Sequence, residues 1–129
     1  MDLPASRVFK SKSFARFARK AKIDDASLCK AIANAEKGLI DADLGGGVIK
    51  QRVAREGGGK SPGFRTLVLF RLGDRAFFVH GFAKKDQANI AEGELIALRE
   101  LASVLLSYDE LTLSRAIENK TLIKVTCDG

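Results

Sequence analysis

Five basic side chains crowd residues 45–65, GGGVIKQRVAREGGGKSPGFR: Lys50, Arg52, Arg55, Lys60 and Arg65, with Glu56 the one acid among them. Glycine beside Lys and Ser is a common setting for a bound phosphate. Two phosphate chemistries compete for it. Residues 54–61, AREGGGKS, fit a relaxed P-loop pattern with Ala at the first glycine. A P-loop must follow a parallel strand and open a helix whose N-terminus cradles the phosphates. Here Ser61 runs straight into Pro62-Gly63 and a strand-like segment, so a nucleotide loop is not expected. A phosphodiester backbone fits better. Lys50 and Arg52 stand two apart on an alternating segment, hence on one face of a strand. Arg65 begins the next strand beyond the glycine turn, so three cations converge on one antiparallel surface. Lys84 and Lys85 extend it past the following strand, and Arg55 and Lys60 flank it.

Were the bound backbone RNA, such a face could also cleave it. The 2′-OH attacks its own adjacent phosphate, so the protein needs only to orient that attack, stabilise charge on phosphorus and move two protons. Arg65 and Arg52 are assigned to clamp the phosphoryl oxygens, since a guanidinium matches phosphate bidentately. Lys50 adds charge and serves as a base if its neighbours depress its pKa. His80 is the side chain whose ordinary pKa suits proton transfer near neutrality. Phe82 is placed to stack on a base, although Phe78 and Phe82 on a strand more often fill a core. His80, alternating with them, has an equally good reading as a partly buried strand residue. No metal or other cofactor is expected: one His and two distant cysteines assemble no zinc pattern.

The elements that must carry these residues read as an α+β chain. Arg7–Lys10 suggests a short edge strand. Residues 13–20 suggest a helix capped by Ser13, with Phe14 and Phe17 on one face. Residues 24–37 suggest a second helix with Gly38 at its C′ position, followed by a loop to Gly47. Strands are expected at 48–55, 64–72 and 75–82, the last two joined by a two-residue Gly73-Asp74 turn. A helix is expected from Asn89, with Glu92 completing a capping box and an apolar stripe of Leu95, Leu98, Leu101, Ala102 and Leu105. A last helix at 109–119 and a closing strand at 122–125 complete a small, mostly antiparallel sheet with helices packed on it.

The 129 residues make one domain, long enough to bury a core without staples. Residues 1–85 carry 18 Lys/Arg against 8 Asp/Glu, and residues 86–129 carry 4 against 8. A basic body with an acidic tail points to a polyanionic partner for the body. Between Arg7 and Lys22 there are seven basic residues and no acid; Arg16, Arg19 and Lys20 in this run are candidate contacts to that polyanion. The N-terminus lacks the apolar core of a signal peptide and no segment is long enough to span a bilayer. With Cys29 read as a small buried hydrophobe, the expectation is a soluble protein of a bacterial-type cytoplasm, a reducing compartment, without membrane contact.

The central stretch KQRVAREGGGKSPGFRTLVLFRLGDRAFFVHGFAKKDQANI resembles the RelE/ParE superfamily of bacterial toxins, in the RelE/HigB-like branch. The likeness rests on the basic strand, the G-x-G-K-S-x-G-[FY]-R turn, the apolar strand and the strand ending in GFAKK. It implies a toxin of a type II toxin–antitoxin pair, held by a cognate antitoxin, usually of helix-turn-helix type, and meeting operator DNA only through it. It implies an endoribonuclease (mRNA interferase) that inhibits translation by cutting mRNA in the ribosomal A site. Lys50, Arg52 and Arg65 match the family's basic positions, and His80 and Lys84 fall among its variable polar positions. The C-terminal catalytic Tyr of RelE-type enzymes has no counterpart: the chain's one tyrosine, Tyr108, falls at a helix end. Two alternatives share the fold: a non-nucleolytic, ParE-like inhibitor of gyrase, and a degenerate toxin retaining only antitoxin and operator binding.

Overall fold

Near-continuous burial along the strands Phe64–Arg71 and Arg75–Ala83, and the apolar faces of helices on both sides of them, generate a layered structure. The computed structural model describes residues 6–54, 63–83 and 90–127. The elements are β1 (Arg7–Ser11), α1 (Lys12–Ala21), α2 (Asp25–Glu36), β2 (Ala42–Asp43), β3 (Val48–Val53), β4 (Phe64–Arg71), β5 (Arg75–Ala83), α3 (Glu92–Leu105), α4 (Glu110–Glu118) and β6 (Leu122–Lys124). The six strands form one sheet in the order β2-β3-β4-β5-β1-β6. Only the β1–β5 pairing is parallel. The α+β class and the mostly antiparallel sheet are as expected.

Each face of the sheet has its own core. On one side Phe14 and Ala18 of α1 and Leu28, Ile32 and Ala35 of α2 pack against Ile49, Val53, Val68 and Phe78. On the other, Ala102 and Leu105 of α3 and Leu113 and Ala116 of α4 pack against Phe9, Val48, Leu69 and Phe77. Phe14, Phe77 and Phe78 are among the largest fully buried side chains. Truncating one of them to Ala would cost about 3–5 kcal/mol.

Several local expectations are corrected. β1 is interior, not an edge, because β6 closes the sheet beyond it. Ser11, not Ser13, caps α1, accepting from the Phe14 N–H at 3.1 Å. The loop before β3 contains the short strand β2. The β4–β5 connection has three residues, since Arg71 pairs with Arg75 and Gly73 adopts a positive φ. α3 begins at Glu92 behind Ala91, without a side-chain cap; Asn89, the expected start of the capping box, lies outside the described residues. Leu101, placed on its apolar stripe, is exposed.

The cysteines also differ from expectation. Cys29 is not a buried thiol: it lies on the flank of α2 and is disulfide-bonded to Cys127, across 98 residues of chain. The segment after β6 runs beside α2, where the Thr126 N–H donates to Asp25 Oδ2, and this brings the second sulfur within reach. Among the described residues no helix is long and apolar enough to cross a membrane.

The first glycine run has a packing role. Gly45, Gly46 and Gly47 all have positive φ. A Cβ on Gly46 would lie 2.8 Å from Arg99 Cγ, and one on Gly47 would lie 2.7 Å from Leu106 Cδ1. The run therefore lets α3 approach the start of β3, with Arg99 Nε donating to the Leu44 carbonyl at 3.0 Å.

Candidate nucleic-acid interface

Strand register decides which of the candidate residues meet. Arg52 pairs with Arg65, and Arg65 with Phe82. Directly opposed residues share a face with Cβ atoms roughly 5 Å apart, so these three form a row across β3, β4 and β5. The adjacent row, Lys50–Leu67–His80, lies on the same face. The next, Val48–Leu69–Phe77, is already in the core beneath α3 and α4. The chemistry-bearing rows thus occupy the end of this face beyond the packed core.

A bulge on β5 shapes the site. Register slips between Leu67 and Val68, whose partners are His80 and Phe78. Phe78 packs with α1 and α2, whereas Phe82 faces Arg65. Simple alternation would have left Phe78, His80 and Phe82 on one face. The bulge puts Phe78 on the other face, while His80 and Phe82 stay together and His80 is exposed. Phe82 is only 8% exposed and rests against the imidazole at 5.8 Å between centroids. It is a wall of the site and not the open stacking platform expected of it.

The cations are unevenly compensated. Arg65 Nε lies 3.2 Å from Asp41 Oδ2, and Lys50 Nζ lies 4.0 Å from the same oxygen. Arg65 is largely enclosed, and its Nη1 is buried with no hydrogen-bond partner among the described residues. Arg52 is exposed and makes no ion pair among them. Beside Arg52, a cleft of about 570 Å³ opens between α2 and the edge of β3, lined in part by Lys30, Asn34 and Asp41. Asp41 was missed by sequence reading because it lies in a loop nine residues from Lys50, its nearest partner in the site.

The remaining candidates fall elsewhere. Arg16, Arg19 and Lys20 are exposed on α1, which packs on the opposite face of the sheet. They do not extend the Arg52–Arg65 surface. Arg55, Lys60, Lys84 and Lys85 lie outside the described residues, as does most of the P-loop-like segment. Gly63 leads directly into β4, so no helix opens after that segment to cradle a nucleotide. Among the described residues no cluster of His, Cys, Asp and Glu is arranged to hold a metal ion.

The chain matches the family model of the RelE toxin of the RelE/RelB toxin–antitoxin system over residues 6–125. The chain belongs to the RelE toxin family. No curated protein and no solved structure gives a significant match. This RelE-family chain is a toxin that pairs with an antitoxin.

A second charged cluster occupies the other end of the sheet. Strand rise puts it about 20 Å away, six residues along β4. Arg7 Nη1 donates to Glu110 Oε1 at 2.7 Å, and Arg7 Nη2 to Asp74 Oδ1 at 3.3 Å. Arg75 Nε lies 3.3 Å from Asp74 Oδ2, and its Nη1 donates to the Tyr108 carbonyl at 2.8 Å. Tyr108 therefore belongs to this end. The Arg7 hydrogen bond holds the Glu110 carboxyl below the usual range, and Glu110 in turn raises Arg7 above its ordinary value. Burial pushes Asp74 up, but the charge of Arg75 and hydrogen bonds from Arg75 and Arg7 outweigh it and leave Asp74 lowered.

Proposed function

We propose that this RelE-family toxin inhibits translation by metal-independent, ribosome-dependent cleavage of mRNA in a cytoplasm, under control of a helix-turn-helix antitoxin. One observation carries the reading: Arg52 and Arg65 are directly opposed, with Lys50 and His80 in the adjoining row, on an exposed end of the sheet. Arg65 and Arg52 contact the non-bridging oxygens of the scissile phosphate and stabilise the charge that grows on them as the 2′-OH attacks. Lys50 adds to that field. His80, exposed at the row's edge, exchanges protons with the attacking or leaving oxygen. The cleft beside Arg52 gives the strand room to continue past the phosphate.

The test is induced expression in bacteria of wild type beside Arg65→Ala, with mRNA 5′ ends mapped soon after induction. New cuts inside translated frames, absent from the variant, are expected. Growth arrest with intact mRNA would redirect the reading to a target such as gyrase. No arrest from folded protein would indicate a toxin that has lost its activity.

A further inference from the structure

The acid at the centre of the basic rows calls for an explanation. A carboxylate beside a phosphate site repels the ligand, so Asp41 opposes binding unless it does something else there. It is not loosely held. Gln51, only 3% exposed, donates through Nε2 to the carbonyls of Ala31 in α2 and Leu39 in the following loop, both at 2.9 Å. Its Oε1 accepts the Asp41 N–H at 3.2 Å. Thr66 Oγ1 caps the Gln51 carbonyl at 2.8 Å. The sequence shows Gln51 only as a polar residue in an alternating strand. In the fold it spends both amide hydrogens and its oxygen fixing the Asp41 backbone to α2.

We propose that Asp41 is the positioning residue for Arg65, presented by Gln51. The Asp41 carboxylate engages Arg65 at Nε. That leaves Nη2 for a phosphate; Nη1 is buried, without a hydrogen-bond partner among the described residues, and is closed to it. A guanidinium free to rotate must be ordered by each substrate; one held at Nε presents Nη2 in advance, and most of the gain appears in the transition state. Lys50 shares the same carboxylate at 4.0 Å, so the site keeps a positive balance. The role concerns Arg65's orientation and not the charge of the surface.

This inference rests on the cleavage reading, and its test separates the two. Cleavage of end-labelled mRNA on programmed ribosomes is followed in single turnover with wild type, Asp41→Asn, Arg65→Ala and the double variant, each shown folded by its melting curve. Asp41→Asn is expected to slow cleavage at saturating toxin at least tenfold without raising the half-saturating concentration, because a repulsive charge has been removed. In the Arg65→Ala background the same change is expected to have no further effect. Cleavage by Asp41→Asn as fast as wild type, or an equal loss in both backgrounds, overturns the proposal. Should wild type leave mRNA uncut, the cleavage reading falls, and the Arg65 Nε–H resonance decides the pairing. A signal protected from solvent in wild type and lost in Asp41→Asn supports the positioning role. A signal equally exposed in both overturns it.

Discussion

The sheet carries arginines at both ends, and the two ends are built to opposite rules. At the β4–β5 turn, Arg7, Arg71 and Arg75 share Asp74 and Glu110, and Arg75 is further bonded to the Tyr108 carbonyl. Arg75 is only 5% exposed; a charge so buried is tolerable only when paired and hydrogen-bonded. At the other end, among the described residues, Lys50 and Arg65 share a single acid, Asp41, and Arg52 has no ion pair; a buried nitrogen without a hydrogen-bond partner occurs at both ends, Arg65 Nη1 here and Arg75 Nε at the turn. The same residue type is paired several-fold in one place and sparsely in the other. Compensation, more than arginine content, separates a structural cluster from a binding surface.

The largest effect that would break this comparison is on catalysis. Arg65→Ala is expected to reduce single-turnover mRNA cleavage by about 10²–10³-fold, the usual loss when a charge-stabilising donor is removed, with little change in the melting midpoint. Arg75→Ala should do the reverse. Losing the donor to the Tyr108 carbonyl and the partner of Asp74 should lower stability by about 2 kcal/mol in urea titration, with cleavage per folded molecule unchanged. Acid sharpens the contrast further. Asp74 and Glu110 titrate below their unfolded values, so their stabilisation is present above the ordinary carboxylate range, about pH 4, and is lost as pH falls through the folded values. Melting curves should therefore show a falling midpoint in acid, and Asp74→Asn should flatten that fall. The smallest effect is electrostatic. Arg52→Ala should reduce the slope of log binding constant against log salt for a single-stranded RNA by about one, and Arg7→Ala should leave the slope unchanged.

Much of this organisation is legible in the chain. The apolar, aromatic-rich runs of 64–72 and 75–82 on either side of Gly73-Asp74 announce a hairpin, because strand formers flanking a turn signal pair back on themselves. Asp24 and Asp109 announce helix starts because a carboxylate can satisfy free N–H groups; both cap as such, accepting from Ser27 and Thr112. Lys50, Arg52 and Arg65 could be placed on one surface from parity and a turn alone. The bulge at Val79–His80 was not legible, since parity carries no mark of an extra residue, and with it went the separation of Phe78 from His80 and Phe82.

What the sequence determined by itself is therefore local and periodic: element types, most element limits within a residue or two, the basic strand positions and the family pattern, all of which depend on neighbours a few residues apart. Tertiary structure alone decided that β1 is interior, that Cys29 meets Cys127, that the α1 cations lie across the sheet from the rows, and that Asp41 touches Arg65. Each of these joins residues distant in the chain through strand order or helix docking. Such pairings are selected by the burial of two whole sheet faces at once, a property of the assembled layers that no short stretch of sequence contains.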